Sequence, residues 1–422
     1  MDQIDTLSTG QAPIRPPQPT TGLWHNRAFL LLWSGQVVSE TGSQVSLFAL
    51  PLLVLAFTNS PALAGFLSAI QLLPYLLFSL PAGALVDRWN RKLVMLACDT
   101  LRWLLLASVP VAFYLGHLTL PRLYAVAFLE GTANVLFGIA QLSALPRVVA
   151  PKDVPSAYML SEITQSTAAL VGPSLGGLLI QLAGATLPGT MLAYIADSFS
   201  YLVSVLSLCG IRVPFQQQRV VAQSQSLVQD VLEGLRFLWR QPLLCLVALL
   251  TTLINFMQAG ITLAVILLAR NTLHLDTLTL GIVISANGIG GLLGGAIAPW
   301  LHRRLGMGPI MLGSMLGWTL ASALLALSSG SWMLILAMGL IGLLWPCYAV
   351  VVVSYRLSLA PDELLGRVNS SFRLLSFGIE PVGKALWGLL LLPLGARLEL
   401  VWIALGLGLI TLLASFTSLR RA

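Results

Sequence analysis

Charge is what this chain has least of. Only 9% of its 422 residues are Asp, Glu, Lys or Arg, against 57% hydrophobic, where soluble domains carry about a quarter charged residues. A water-soluble fold of this size could not hide so much apolar matter. An ordinary globular domain is therefore excluded, and the bilayer is the solvent that fits. Cysteine and histidine are also scarce. Cys98, Cys209, Cys245 and Cys347 lie scattered in apolar stretches without a CxxC spacing, so they read as packing residues rather than a disulfide framework or metal site. His25, His117, His274 and His302 stand apart near loops, and neither a metal nor a cofactor is expected. No GxxxxGK[ST] segment is present, which argues against an ATP-driven motor in this chain. Nor do the residues assemble into a nucleophile–base pair, so an enzyme is not expected.

A spanning helix needs about 20 apolar residues. Twelve segments meet that length, at 28–57, 61–86, 93–114, 121–145, 156–182, 188–211, 243–270, 277–300, 307–328, 331–357, 366–394 and 397–418. The expected fold is an all-α membrane protein with twelve transmembrane helices. The net charge of +7 is not gathered on one face, as a nucleic-acid partner would require. Of the 23 Lys and Arg, only Arg122, Arg270 and Arg397 fall in the loops on one side, while nearly all the rest fall on the other. By the positive-inside bias, both termini should be cytoplasmic.

The longest interruption splits the spans six and six. Residues 1–27, polar and proline-containing without the apolar core of a signal peptide, read as a disordered cytoplasmic tail. A bundle over 28–211, a linker over 212–242, a second bundle over 243–418 and a short tail at 419–422 follow. Within the linker, Leu227, Val228, Val231, Leu232, Leu235 and Leu238 recur at helical spacing, with Asp230, Glu233, Arg236 and Arg240 on the remaining face. That pattern predicts an amphipathic helix on the cytoplasmic membrane surface. The halves echo one another: GALVDRWNRK from Gly83 to Lys92 has a counterpart in GAIAPWLHRR from Gly295 to Arg304. Pro151-Lys-Asp after the fourth span matches Pro361-Asp-Glu after the tenth. Such duplication places a substrate pathway between two bundles.

The loop containing Gly83, Asp87, Arg88, Arg91 and Lys92 resembles the signature loop of the major facilitator superfamily, with the three basic residues expected at the anionic lipid face. The resemblance implies a gate between the halves that closes the inner side and breaks as the transporter opens inward. Pro299 stands where the second copy would have its acid, so the latch is not expected to repeat there. In the fifth span, Gly172, Pro173, Gly176 and Gly177 form a small-residue face on a Pro-kinked helix. They also resemble the antiporter motif of major-facilitator drug exporters. Leu145-Pro-Arg-Val-Val, Ile195-Ala-Asp-Ser-Phe-Ser-Tyr201, Asp230 to Trp239 and Pro361 to Val368 are similar to the branch that includes macrolide-efflux and enterobactin-exporter-like proteins.

Charges inside the membrane cost about 2.5–3.5 kcal/mol each and need a partner or a purpose. Asp99 with Arg102, and Glu380 with Lys384, have the spacing of local ion pairs. Arg373 lies close enough to the inner end to snorkel. Glu162 lies near water, and Asp197 has Ser198 and Ser200 beside it. Glu40 and Glu130 have no basic residue within a turn of their own spans, which suits the coupling proton. Gln36, Gln44, Gln71, Tyr75, Asn134, Phe137, Gln165, Asn255, Gln258 and Asn287 are candidates for a cavity that takes an amphipathic compound, though half of them equally suit interhelical hydrogen bonds. The resemblance thus implies proton-coupled export of lipophilic or amphipathic small molecules, of drug, macrolide or siderophore type, by a monomer in the bacterial inner membrane. A lysophospholipid flippase and a non-transporting receptor or scaffold are the alternatives.

Overall fold

The computed structural model describes residues 22–213, 215, 227–359, 361, 364–417 and 419. Among them there are helices and no strands. The first six helices are α1 (Arg27–Thr58), α2 (Pro61–Arg88), α3 (Arg91–Tyr114), α4 (Leu120–Val148), α5 (Val154–Leu182) and α6 (Thr186–Gly210). Short caps, not long loops, separate them. Asn59 ends α1 in the left-handed conformation (φ 52°), and the Ser60 hydroxyl accepts the Leu63 N–H to start α2. Asn90 does the same for α3 through Lys92 and Leu93.

The linker carries α7 (Leu227–Arg240), and one residue, Gln241, separates it from α8 (Pro242–Gln258). Far from lying free, α7 packs on the second bundle. Glu233 pairs with Arg367, and a methyl on Gly234 would lie 2.8 Å from the Arg367 carbonyl carbon. Of the expected apolar face, Leu238 is buried but Leu232 is exposed, and Trp239 beside them is exposed as well. Residues 216–226, and the side chains of 227–231, lie outside the described residues.

The seventh span is broken where the sequence reads as one helix. α8 stops at Gln258, and α9 (Ile261–Leu267) resumes after Gly260 before one wide turn at Leu268–Thr272. α10 (Thr277–Arg304), α11 (Met307–Ala326), α12 (Ser331–Leu359), α13 (Leu365–Gly378) and α14 (Glu380–Ser415) complete the chain.

Eleven helical stretches among the described residues are long and apolar enough to cross a membrane. The last, Arg367–Ser415, is 49 residues, about 74 Å of helix against a hydrocarbon core of about 30 Å. It must cross twice. Gly395 (φ 71°, ψ 162°) makes the turn, and Trp387 and Glu399, on opposite arms, both meet Gly260. This restores the twelve crossings, six before the linker and six after it. An even number returns the chain to the side on which α1 begins, called here the termini side.

The bundles meet through α2 against α14 and α5 against α10. The tight points lie toward the opposite side. A methyl at Gly65 would lie 2.6 Å from the Lys384 carbonyl oxygen and 2.8 Å from Gly388 Cα; one at Gly177 would lie 3.1 Å from Leu278 Cα. Ser174 Oγ and Ser285 Oγ are 2.8 Å apart across the second seam. Toward the termini side, Gly83 late in α2 and Gly295 late in α10 face open space. The close contacts between the two bundles thus gather toward one side.

Candidate functional site

Five of the six helices of the first bundle, α1 to α4 and α6, feed one polar network. Its centre is Arg102 of α3, only 5% exposed. Its Nη2 donates to Glu130 Oε1 of α4 at 3.0 Å and to Asn134 Oδ1 at 3.1 Å, and its Nε donates to the same Glu130 oxygen at 3.3 Å. The guanidinium also lies 4.2 Å from the centre of the Tyr201 ring on α6, a cation–π arrangement. Gln71 of α2 donates to the second oxygen of Glu130 at 3.1 Å. Asp99 is 3.8 Å from Arg102 Nη1 and accepts Ser204 Oγ at 2.6 Å. The local Asp99–Arg102 pair expected from spacing is thus the weaker one, because α4 presents Glu130 closer.

Asp197 is held by Ser46 Oγ of α1 at 2.5 Å and Ser200 Oγ at 3.1 Å. Ser198, expected to help, turns instead to the Trp103 carbonyl at 3.0 Å. Tyr201 OH and Ser43 Oγ, 2.7 Å apart, join α6 to α1.

Glu40 differs from the other acids. Among the described residues it forms no ion pair, and its hydrogen bond with Gln44 Nε2 is long, at 3.5 Å. It lines a cavity of about 230 Å³ with Gln36, Arg102, Asn134, Phe137, Glu162 and Gln165. A second cavity of about 480 Å³, lined by Tyr75, Asn134, Gln165, Asn369 and Arg373, shares Asn134, Gly138, Leu142 and Gln165 with the first. Together they form one crevice between the bundles.

Of the candidate lining residues, Gln36, Tyr75, Asn134, Phe137 and Gln165 reach the crevice. Gln44, Asn255, Gln258 and Asn287 line neither cavity, and Gln71 faces only a small hollow beside Glu130. Asn255 is turned inside its own bundle, donating to the Ser376 carbonyl at 2.7 Å. Arg373 does not snorkel along its own helix. It reaches across the crevice to hydrogen-bond Tyr75 OH, with its guanidinium 5.6 Å from the Tyr75 ring centre. Glu380 and Lys384 do pair, at 3.5 Å. The sequence reading missed Glu399, whose place two residues from Arg397 at a helix start disguises a fully buried carboxyl.

The loop after α2 is more internal than expected. Arg91 is buried and donates to the Ser143 carbonyl at the end of α4 at 2.9 Å; Lys92 Nζ lies 2.5 Å from the Ile211 carbonyl after α6. Cations at helix C-termini complement free carbonyls and the dipole, so these two tie the first bundle together, with Lys92 only half-buried. The side chains of Asp87 and Arg88 lie outside the described residues. In α5, Gly172 faces Gln44 and Gly176 faces Phe48 of α1, while Gly177 and Pro173 meet α10 at Leu278 and Gly281. The motif is the close-packed ridge by which α5 joins the two bundles. The four cysteines are free, and no metal-binding group of His, Cys, Asp or Glu exists among the described residues.

Comparison with known proteins agrees with this architecture. A family model described as "Transmembrane secretion effector" matches residues 20–422. The multidrug efflux pump Tap of Mycolicibacterium fortuitum is 27% identical over 91% of this chain and 93% of its own. Macrolide efflux protein A of Streptococcus pyogenes is 25% identical over 81% of this chain and 84% of its own. The solved structure of the nucleoside transporter NupG, as its D323A mutant, superposes with a TM-score of 0.78 at 15% identity over 92% of this chain and 99% of its own; that likeness concerns the fold alone. With two six-helix bundles closed at one end around a polar crevice, the chain belongs to the transmembrane secretion effector family, and it is a multi-pass major-facilitator efflux transporter rather than an enzyme.

Proposed function

We propose that the protein exports amphipathic or lipophilic small molecules, of drug, macrolide or siderophore type, by proton-coupled alternating access in a bacterial inner membrane. The observation that carries this reading is Glu40, on the wall of the crevice and tied to no cation among the described residues. Glu130, the other candidate, is held by Arg102 and Gln71. One buried cation, Arg102, serves four acids, Glu40, Asp99, Glu130 and Asp197, and four carboxylates cannot all stay ionised around a single guanidinium in a low-dielectric bundle. Protons must fill the deficit, and the acid that water reaches through the crevice is the one able to exchange them. Glu40 is the coupling carboxyl, and Arg102 with Glu130 is its fixed electrostatic support.

The Lys and Arg bias supports cytoplasmic termini. The crevice then opens to the cytoplasm, where cargo loads, and the Gly65–Gly388 and Gly177–Leu278 seams form the outer seal. Closing the inner side requires the loop at Gly83–Lys92 to meet the second bundle, with Arg91 and Lys92 keeping the first bundle rigid as it rocks. A membrane potential of 100 mV supplies about 2.3 kcal/mol for each charge moved. A monomer, divided into bundles 28–211 and 243–418, suffices for this cycle. Reconstitution in liposomes with a compound panel and an imposed pH gradient tests the reading. Accumulation that follows the gradient for amphipathic compounds supports it, and accumulation indifferent to pH in every case refutes it.

A second reading, lysolipid handling, has one observation in its favour. An apolar hollow of about 360 Å³ lies on the α2–α14 seam, lined by Phe66, Ile70, Leu73, Pro381 and Leu386. Through Pro381 it adjoins a hollow reaching Tyr75 and Arg373. An acyl chain fits the first and a polar head the second. Saturable lysolipid binding without any drug transport would decide for this reading.

A further inference from the structure

The second bundle contains a carboxyl that the crevice does not use. Glu399 starts the second arm of α14, is fully buried, and neither of its oxygens has a hydrogen-bond partner among the described residues. It sits where α8 gives way to α9. A methyl on Gly260 would lie 2.9 Å from Glu399 Oε1 and 2.7 Å from Trp387 Cγ, so only glycine leaves room there. Trp387 is fixed in turn, its indole N–H donating to the Phe256 carbonyl at 2.9 Å.

Among the described residues no charged group compensates the acid. On α14 itself, Arg397 donates to the Ser328 carbonyl at 3.1 Å, and Glu380 and Lys384 pair with each other. Arg270, beyond α9, turns to Thr186 Oγ1 at 3.4 Å. Helices α8, α9 and α11 carry no charged residue, and Cys245 stands at the far end of α8. On α2, Tyr75 is engaged by Arg373, while Asp87 and Arg88 belong to the far end of that helix. An ionised carboxylate buried without donors costs several kcal/mol even after relaxation, whereas a neutral carboxyl costs far less. A hard metal ion would need about six oxygen ligands, and no metal-binding group is found among the described residues. The proton is the ligand whose chemistry fits.

We propose that Glu399 is a second proton-binding site of the transporter, filled in the conformation seen here and emptied when the α2–α14 seam opens. The link is mechanical. Gly388, the neighbour of Trp387, rests on Gly65 of α2, and that seam must part for the crevice to open on the opposite side. Parting it takes α2 away from this arm of α14 and admits water beside the acid. The Glu399 O–H bond then breaks, and its proton passes to that water. This inference rests on the alternating-access reading above and adds to it a protonatable group outside the first bundle.

Infrared spectroscopy on the full-length protein in liposomes tests it without any cargo. Cysteine pairs at Trp89→Cys and His302→Cys, in a background lacking the four native cysteines, allow the termini side to be cross-linked shut. Difference spectra of Glu399-containing protein minus Glu399→Gln are then recorded in the carbonyl region of protonated carboxyls. The expected result is a protonated-carboxyl band in the free protein that is lost on cross-linking at unchanged pH. Glu399→Asp should keep a shifted band, which shows that the carboxyl and not the fold is being read. Absence of the band in free protein, or its persistence unchanged after cross-linking, overturns the proposal. Transport that ignores a pH gradient while the band behaves as expected would sink only the coupling assigned to Glu40. Gradient-driven transport with an identical pH profile in Glu399→Gln, and no band, would sink only this site.

Discussion

Arg102 of α3 and Glu130 of α4 are joined by two hydrogen bonds to one oxygen, at 3.0 and 3.3 Å, inside the first bundle. The same guanidinium faces the Tyr201 ring and comes within 3.8 Å of Asp99. Beside this fixed pair, Glu40 forms no ion pair among the described residues and has only a long hydrogen bond with Gln44.

Removing one member of a buried pair strands the other, at a typical cost of about 3–5 kcal/mol. Arg102→Gln should therefore lower thermal stability in detergent sharply. Glu130→Gln, which keeps the hydrogen-bonding shape, should cost less, and the double variant should recover part of the loss. Unfolding midpoints of the four proteins check this. Equal midpoints for wild type and Arg102→Gln would show that the pair does not hold the bundle.

The closed seam depends on a position that tolerates no side chain. Gly65→Val forces Cβ to within 2.6 Å of the Lys384 carbonyl oxygen, so the seam must shift. The conformation open to the termini side should lose population, read as a shorter distance between spin labels at Trp89 and His302. Gly313→Ala, which has nothing within 4 Å, should leave that distance unchanged.

Gly395 turns α14 back on itself at φ 71° and ψ 162°, a region closed to side-chain-bearing residues at a cost of about 1–3 kcal/mol. Gly395→Ala should lower the unfolding midpoint without altering the polar network. A midpoint equal to wild type would contradict the backbone assignment there.

Much of this was legible in one dimension. The twelve crossings follow from apolar length, and the turn near Gly395 follows from a Pro-Leu-Gly break in an otherwise uninterrupted run. The Gly172–Gly177 ridge was legible because small residues at that spacing have few other uses in a membrane helix. Partners across helices were not. Glu130 meets a cation that stands 28 residues away in sequence, and nothing in the periodicity of α4 says that it faces α3. For the same reason Asn255, equal in composition to Asn134, turns to the Ser376 carbonyl and not to the crevice. The break at Gly260 was hidden by continuous hydrophobicity, and with it the setting of Glu399.

The account turns on Glu40. In proteoliposomes with an imposed pH gradient, Glu40→Gln should bind amphipathic cargo but lose gradient-driven accumulation, while Glu162→Gln, on the same wall, should keep it. Full gradient-driven accumulation by the Glu40→Gln protein would contradict the claim that this carboxyl carries the coupling proton.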